Sequence, residues 1–328
     1  MRPLERVLVR LPNWLGDVLM ARPALHALRA AHPRAEITAC GSRVLLELLA
    51  PEGLWQRTEA LPCTPELIGR LRAARFDAAL VLPPSFSSAW LAFRSGARLR
   101  VGFAHEGRSL LLTRAVRRPG RGDLHLSGEY LRLVASLEAR EVPLPLLGVD
   151  AGAVREAATL LTRAGLGERP IGILGPGAAY GPAKRWSTER FAALGLQLAA
   201  CGHALLVCGA ASEREICEAV AAAIGAQARS LAGETSLPVQ AALCARATLT
   251  VSNDSGLAHL AAATGAPTVV VFGSTSSAWS VPLGPRVRVV QRAPVCSPCF
   301  ARDCRIGYGC LDAVEVAMVT SAAGELVA

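Results

Sequence analysis

Short runs of apolar residues alternate with segments of helical periodicity from one end of the chain to the other. Residues 7–9, 37–40 and 78–82 are predicted to be buried strands. Between the first two strands, apolar residues recur at the spacing of a single helix face, at Val18, Ala21, Leu25 and Leu28. This alternation predicts an α/β fold, in which helices cover a parallel sheet.

A second alternation of the same kind follows residues 141–150, a segment that contains two prolines and breaks the pattern. Further strands are predicted at 171–174, 204–208, 248–251 and 268–272. We therefore place a linker at 141–150 and predict two Rossmann-like domains, residues 1–150 and 151–328, that face a central cleft. Ligands of such sheets bind beyond the carboxyl ends of the strands.

Nearly all basic residues of the chain are arginines. Lysine and arginine together number 35 against 26 acidic residues in a chain of 328, which gives a formal net charge of +9. Only Lys184 is a lysine, and the only asparagines are Asn13 and Asn253. Such a balance is typical of a GC-rich genome, and no aromatic-interleaved basic stripe is evident. We therefore expect no nucleic-acid partner.

The chain shows no sign of a membrane span or a signal peptide. It has no run of 18 apolar residues, and residues 1–17 carry charges at positions 2, 5, 6 and 10. A cytoplasmic location is therefore expected, with the ten cysteines mostly reduced. Six of these lie scattered among apolar residues and are expected to be buried: Cys40, Cys63, Cys201, Cys208, Cys217 and Cys244.

The first predicted strand leads into the sequence Asn-Trp-Leu-Gly-Asp at 13–17, where a helix begins. No G-x-G-x-x-G follows this strand, which argues against a dinucleotide cofactor there, and no P-loop sequence occurs in the chain. Asp17 has two compatible interpretations. It can be the N-cap of the helix, and it can be a carboxylate at the strand's carboxyl end that takes a proton from a hydroxyl group.

A loop rich in glycine and proline, residues 175–187, leaves one strand and enters a helix. Small residues such as Gly177 let backbone N–H groups approach an anion. Lys184 adds a full positive charge in the same loop. A solvated lysine is the ordinary interpretation, but the chain uses arginine everywhere else, and the two cations are not interchangeable. The position therefore favours a functional lysine.

The segment 252–259 also leaves a strand and opens a helix. The N–H groups of Ser255, Gly256 and Leu257 would face an anion at the helix start. Asp254 is either an N-cap or a carboxylate that binds sugar hydroxyls, since it would repel a phosphate. His259 lies one turn into the helix and is either a core residue or a neighbour of the anion.

Four cysteines lie within 15 residues, at Cys296, Cys299, Cys304 and Cys310. Their spacing is compatible with a structural zinc ion or an iron–sulfur cluster, and equally with free thiols or a disulfide. Because the cluster follows the other motifs, we predict no chemical role for it.

Between residues 94 and 121 the chain carries eight arginines and a single acid, Glu106. The arginines indicate either a solvated face shaped by genome bias or attraction to an anionic acceptor. Phe86, Trp90 and Phe93 precede this run, and we expect them to be core residues rather than contacts to lipid or sugar.

The motifs at 13–17, 181–186 (Gly-Pro-Ala-Lys-Arg-Trp), 231–235 (Leu-Ala-Gly-Glu-Thr) and 253–259 (Asn-Asp-Ser-Gly-Leu-Ala-His) occur in a specific order. In that order they resemble glycosyltransferase family 9, the ADP-heptose:lipopolysaccharide heptosyltransferases, and are most similar to the heptosyltransferase II group. The resemblance covers nearly the whole chain.

The resemblance implies a GT-B fold and inverting transfer of L-glycero-D-manno-heptose from ADP-heptose to the anionic, lipid A-linked inner core of lipopolysaccharide. It also implies a peripheral position on the inner face of the inner membrane. Asp17 matches the family's proposed base, Lys184 a residue on the donor's phosphates, and Asp254 a contact to the donor sugar. The expected donor-binding residues are Gly177, Lys184, Asn253, Asp254, Ser255, Gly256, Leu257 and His259. The expected acceptor-binding residues are Asn13, Arg98, Arg118 and Arg121.

Inverting transfer needs a base for the acceptor hydroxyl and a stabilised diphosphate leaving group. The chain contains no D-x-D sequence, which fits a transfer that requires no cofactor for catalysis. Two alternatives stay open. One is a GT-B enzyme that uses another nucleotide-sugar or acceptor, and the other is a basic nucleic-acid-binding module without enzymatic activity.

Overall fold

The computed structural model describes residues 3–105, 107–166 and 169–327. The chain divides into two compact units, Met1–Pro145 and Leu146–Ala328. The division falls inside the segment 141–150, where the sequence predicts the linker.

In the first unit, the described residues form a six-stranded parallel sheet in the order β3-β2-β1-β4-β5-β6. Its strands are β1 Arg6–Arg10, β2 Glu36–Gly41, β3 Arg57–Ala60, β4 Ala78–Val81, β5 Leu99–Ala104 and β6 Arg114–Arg117. Its helices are α1 Leu15–Ala31, α2 Arg43–Leu49, α3 Pro65–Ala73, α4 Phe86–Arg94 and α5 Leu126–Ala135. Two short 3-10 helices lie at Ala50–Glu52 and Arg108–Leu111.

The second unit repeats this arrangement, with its described strands in the order β12-β11-β10-β7-β8-β9. All neighbouring strands are parallel. The strands are β7 Ile171–Gly175, β8 Ala204–Val207, β9 Ala228–Ser230, β10 Leu249–Asn253, β11 Thr268–Phe272 and β12 Val287–Gln291. The helices are α6 Ala151–Arg163, α7 Thr188–Ala200, α8 Arg214–Ile224, α9 Leu237–Arg246, α10 Gly256–Ala263, α11 Ser277–Ser280, α12 Gly309–Asp312 and α13 Val316–Val327. Two 3-10 helices lie at Pro182–Lys184 and Ala211–Glu213.

Each sheet reads 3-2-1-4-5-6 when its strands are numbered along its own unit, which is the Rossmann strand order. The order reverses beside the first strand, between β1 and β4 in one unit and between β7 and β10 in the other. Loops leave these paired strands in opposite directions, so each reversal opens a crevice at the carboxyl edge of the sheet. The predicted α/β fold with two Rossmann-like domains is confirmed.

The central strands are buried along their whole length, as parallel strands covered by helices on both faces must be. Every residue of β4, β7, β8, β10 and β11 is buried. Trp186 belongs to the core of the second unit, where its ring meets Phe191 edge-on at a centroid distance of 5.1 Å. Its indole Nε1 donates to the Val314 carbonyl at 2.9 Å. Trp186 therefore anchors the end of the glycine-rich loop in the core.

Several helices begin on a capping side chain. Thr64, Asp150, Ser187 and Ser236 each accept a hydrogen bond from a backbone N–H in the first turn of their helix. The helices that follow β1 and β10 differ. The N-caps of α1 and α10 are Trp14 and Ser255, and neither makes a side-chain capping bond.

The predicted capping roles of two aspartates are therefore wrong. Asp17 lies in the first turn of α1, two residues beyond its first helical position, where the helix dipole still favours a negative charge. Asp254 lies before the N-cap of α10, and its side chain is engaged elsewhere. Two predicted burials are also wrong, because Cys63 and Cys201 are exposed. None of the helices in the described ranges is long and apolar enough to span a membrane.

Candidate active site

An ion pair joins the two loops that leave the strand reversal of the second unit. Lys184 Nζ donates to Asp254 Oδ2 at 2.6 Å, and both side chains are largely withdrawn from solvent. Lys184 comes from the loop after β7, and Asp254 directly follows β10. Because an ammonium has three donors, Lys184 keeps capacity for a further anion.

Two further groups hold this ion pair in place. Thr275 Oγ1 donates to the same Asp254 oxygen at 2.5 Å. The Lys184 ammonium also lies 5.0 Å from the centre of the Tyr180 ring, within the range of a cation–π contact. Neither residue was predicted from the sequence. Each lies in a loop at the carboxyl edge of the sheet, but neither stands out by composition.

Asn253 is fully buried beneath the loop that carries Lys184. Its Nδ2 donates to the Pro176 carbonyl at 2.8 Å, and its Oδ1 accepts from the backbone N–H of Trp186 at 3.0 Å. The side chain therefore joins both ends of the loop to the end of β10. The rare asparagine stands where only an amide supplies a donor and an acceptor together.

The start of α10 lies beside the ion pair. Gly256 and Leu257 are the first two helical residues, and both are partly exposed. α-Helical geometry gives such N–H groups no partner inside the helix and points them outward, which favours an anion. Gly175 permits this approach, since a Cβ there would lie 2.7 Å from Leu257 Cδ2. His259 is buried beneath, with Nε2 4.0 Å from Asp254 Oδ1.

A second carboxylate reaches the same edge from the neighbouring strand β8. A Cβ on Gly177 would lie 2.3–2.6 Å from the carboxyl atoms of Glu213, so a larger residue there would have to displace this carboxylate. Glu213 Oε2 also accepts from the Ala210 N–H at 2.8 Å. Glu213 was not predicted from the sequence. Its position after the second strand of a Rossmann-type unit could have indicated it, because an acidic residue in that region of such domains hydrogen-bonds the ribose of the nucleotide.

The site in the first unit is more open. Asn13 is exposed, and its Oδ1 accepts from Arg10 Nη2 at 2.6 Å. Asp17 is partly exposed in the first turn of α1. Burial and, to a smaller extent, the nearby Asp17 charge raise the pKa of Tyr130. Asp17 thus lies at the carboxyl edge of β1 within electrostatic reach of Tyr130.

Only some of the predicted acceptor arginines lie at this edge. Arg118 directly follows the carboxyl end of β6, and Arg121 lies three residues further on. Arg118 Nε donates to the buried Glu129 carboxylate at 2.7 Å. Arg98 directly precedes β5 and therefore lies at the opposite edge of the sheet. The structure does not bring Arg98 together with Asp17.

The arginine-rich run is not one solvated face. Arg108 is fully buried, and its Nη1 donates to the carbonyl groups of Pro83 and Ser85 at 2.5 and 2.9 Å. Burial lowers the pKa of Arg108 to about 10. Glu106 lies outside the described residues. The predicted burial of Phe86, Trp90 and Phe93 is wrong, because all three rings are exposed.

All ten cysteines are free thiols. A cavity of about 100 Å³ is lined by all four clustered cysteines: Cys296, Cys299, Cys304 and Cys310. Cys304 Sγ accepts from the Tyr308 N–H at 3.3 Å, and backbone N–H donors, first that of Ile306, lower its pKa. Within the described ranges, however, no three His, Cys, Asp or Glu side chains are arranged to hold a metal ion.

The cysteine-rich segment packs directly against the loop of Lys184. The backbone N–H of Ala183 donates to the Arg302 carbonyl at 3.1 Å, and Tyr180 Oη donates to the Phe300 carbonyl at 2.6 Å. Gly181 leaves room for this contact, since a Cβ there would lie 2.3 Å from the Arg302 oxygen. The segment therefore supports the loop structurally, although it follows the motifs in the sequence.

Two Rossmann-type units, one with a lysine–carboxylate pair beside an open helix start, are typical of nucleotide-binding α/β proteins. Comparison with known proteins narrows this class. Residues 65–308 match Glycosyltransferase family 9 (heptosyltransferase). The chain therefore belongs to glycosyltransferase family 9, and it is a glycosyltransferase with the GT-B fold.

The relatives are similar over most of their length. The chain is 32% identical over 308 residues to lipopolysaccharide heptosyltransferase 2 of Escherichia coli, covering 87% of this chain and 88% of the relative. It is 29% identical over 306 residues to lipooligosaccharide heptosyltransferase 2 of Haemophilus influenzae, with coverages of 87% and 88%. The solved structure of E. coli ADP-heptose lps heptosyltransferase II superposes with a TM-score of 0.84 at 29% identity, covering 98% of both chains.

Proposed function

We propose that this chain transfers L-glycero-D-manno-heptose from ADP-heptose to the inner core of lipopolysaccharide, with inversion at the anomeric carbon. The observation that carries the proposal is the Lys184–Asp254 pair at the strand reversal of the second unit, beside the start of α10. The names of the E. coli and H. influenzae relatives supply the sugar and the class of acceptor.

The second unit binds the donor. The N–H groups at the start of α10 and the Lys184 ammonium receive the pyrophosphate, while Asp254 faces the sugar hydroxyls. Asn253 and His259 are positioning residues beneath them, since both are buried. Glu213 accepts hydrogen bonds from the ribose hydroxyls, because it follows the second strand of this unit.

The first unit supplies the base and the acceptor contacts. Asp17 takes the proton from the acceptor hydroxyl while that oxygen forms a bond to the anomeric carbon. The bond from the anomeric carbon to the diphosphate oxygen breaks, and ADP leaves with its charge stabilised by Lys184 and the α10 amides. Asn13, Arg118 and Arg121 bind polar and anionic groups of the acceptor.

The acceptor is lipid-linked, so we propose that the protein acts in the cytoplasm at the inner face of the inner membrane. The test of the function is incubation with ADP-heptose and a heptose-deficient core oligosaccharide, followed by mass and linkage analysis. The expected product gains one heptose with inverted configuration. Transfer from UDP- or GDP-sugars but not from ADP-heptose would contradict the proposed donor.

We further propose that the four clustered cysteines hold a structural zinc ion or an iron–sulfur cluster, outside the chemistry of transfer. Their shared cavity and the N–H donors to Cys304 suit thiolate ligands. Binding would require the side chains to converge further than they do here. Elemental analysis of the purified protein tests this, with zinc or iron expected in stoichiometric amount and lost in Cys304→Ser. A protein that carries neither element and exposes four titratable thiols would contradict it.

A further inference from the structure

The outer face of α4 carries three exposed aromatic rings. Phe86, Trp90 and Phe93 occupy positions i, i+4 and i+7, and they are 51%, 42% and 44% exposed. The rings form a continuous stack, with centroid distances of 6.5 Å for the first pair and 5.7 Å for the second. We refer to Phe86, Trp90 and Phe93 as the aromatic ladder.

The ladder is not a by-product of packing the core. The opposite face of α4 is buried through small and aliphatic residues: Ser88, Ala89, Leu91 and Ala92. In the described part of the chain, the other exposed aromatic residue of comparable size is Trp14. Clustered exposed apolar surface of this kind marks an interaction site, whereas singly scattered apolar residues need no explanation.

Cations surround the ladder. The Arg94 guanidinium lies 5.9 Å from the centre of the Trp90 ring, and that of Arg100 lies 5.5 Å from the Phe93 ring. Arg98 is exposed in the short segment between the helix and β5. The 3-10 helix Arg108–Leu111 packs against α4 and presents Leu110, which is almost fully exposed.

The adjoining acids are few. In the sequence from Phe86 to Arg121 the single acid is Glu106, against eight arginines. Helix α3, which also packs against α4, adds Glu66, Arg70 and Arg72, and Arg70 is paired with Glu59. The partner of this face must therefore be both apolar and anionic.

These properties together match the surface of an anionic bilayer. Tryptophan and phenylalanine insert at the level of the lipid headgroups, and arginine extends its charge to lipid phosphates. A second copy of the same face would bring arginines against arginines. We propose that the aromatic ladder, with Leu110 and the flanking Arg94 and Arg98, is the surface by which the first unit docks on an anionic lipid membrane. This assignment rests on the membrane location proposed above and specifies the residues that carry it.

The test is co-sedimentation of the full chain with vesicles of phosphatidylglycerol and phosphatidylcholine, compared with phosphatidylcholine alone. We expect the wild type to bind the anionic vesicles at least about tenfold better. The double variant Trp90→Ser/Phe93→Ser should lose about tenfold or more of that binding, because it removes most of the inserted apolar area. Arg94→Gln should weaken binding by a smaller factor.

The matched controls are Leu196→Ser and Val154→Ser, which remove aliphatic side chains of similar exposure, 51% and 49%, from the second unit. Both should bind vesicles like the wild type. Circular dichroism and transfer to a lipid-free core oligosaccharide should be unchanged in the double variant, since none of its positions belongs to the proposed active site.

The outcomes separate the proposals. If the wild type does not bind anionic vesicles, both the proposed docking surface and the proposed membrane location are wrong, while the proposed transfer reaction is unaffected. If the wild type and the double variant bind the vesicles equally well, only the assignment of the docking surface to the aromatic ladder is wrong. A change from dimer to monomer in Trp90→Ser/Phe93→Ser, with vesicle binding unaltered, would assign the ladder to self-association instead.

Discussion

The two strand reversals have the same topology but different local order. In the second unit, Lys184, Asp254 and Asn253 are withdrawn from solvent. Lys184 is bonded to Asp254, and Asn253 is bonded to the loop that carries Lys184. In the first unit, Asn13 is exposed and Asp17 partly so. A site whose polar groups are already bonded binds a small ligand with little reorganisation. On the roles proposed above, the donor side is preorganised and withdrawn from solvent, whereas the acceptor side is more exposed and open to a larger molecule.

The largest effect should come from Asp17→Asn. Loss of the base should reduce kcat by about 10²- to 10⁴-fold, because the amide cannot take the acceptor's proton. ADP affinity, measured by calorimetry, should stay within about twofold of wild type, since Asp17 belongs to the other unit. Turnover near the wild-type rate would remove Asp17 as the base and with it the division of roles between the units.

Lys184→Ala should reduce kcat/KM by about 10²- to 10³-fold and should also weaken ADP binding. The variant loses the cation proposed to stabilise the leaving group and removes the Lys184 bond to the buried Asp254 carboxylate. Lys184→Arg should restore only part of the rate, because the planar guanidinium does not reproduce the compact ammonium. Steady-state kinetics with ADP-heptose measures both variants. Full activity in Lys184→Arg would show that charge alone suffices at this position.

The two rare asparagines offer a test on stability. Asn253→Ala should lower the free energy of unfolding by about 1–3 kcal/mol, since it leaves the buried Trp186 N–H and Pro176 carbonyl unbonded. Asn13→Ala should lower this free energy by about 1 kcal/mol or less, because Asn13 is exposed and loses a single hydrogen bond, from Arg10. Urea unfolding of each variant provides the measurement. Equal losses in both would erase the difference in preorganisation between the two sites.

The smallest effect is a difference in thiol reactivity within each unit. Burial raises the pKa of Cys40 to about 11 and that of Cys244 to about 12, so both thiols stay protonated at pH 8. The exposed Cys63 and Cys201 should therefore be alkylated before the buried Cys40 and Cys244 in the native protein. Mass spectrometry after brief treatment with iodoacetamide identifies the modified residues. Early modification of Cys244 would indicate that the second unit opens more readily than its packing implies.

Seven of the eight interior strands were predicted from the sequence, whereas β5 and the four edge strands were not. β4 and β11 are runs of apolar or neutral residues, as strands covered on both faces require. β3, β6, β9 and β12 are sheet edges and carry arginine within their short lengths. An edge strand is partly solvated and tolerates charge, so its apolar signal is weak.

Composition and place in the alternation indicated Lys184, Asp254 and Asn253, but not how they contact one another. The Lys184–Asp254 bond joins residues 70 positions apart, and the register of β10 on β7 determines it. The error on α4 has a different cause. Its sequence, Phe-Ser-Ser-Ala-Trp-Leu-Ala-Phe-Arg, is apolar on both faces, so periodicity cannot decide which face is buried. The structure buries the small residues and exposes the rings.

The claim that the second unit alone binds the nucleotide can be tested by hydrogen–deuterium exchange of the full chain with and without ADP. We expect protection in residues 176–187 and at the start of α10, with residues 11–17 exchanging at the same rate in both samples. Protection of residues 11–17, or exchange in the loop of Lys184 that ADP does not slow, would contradict the account.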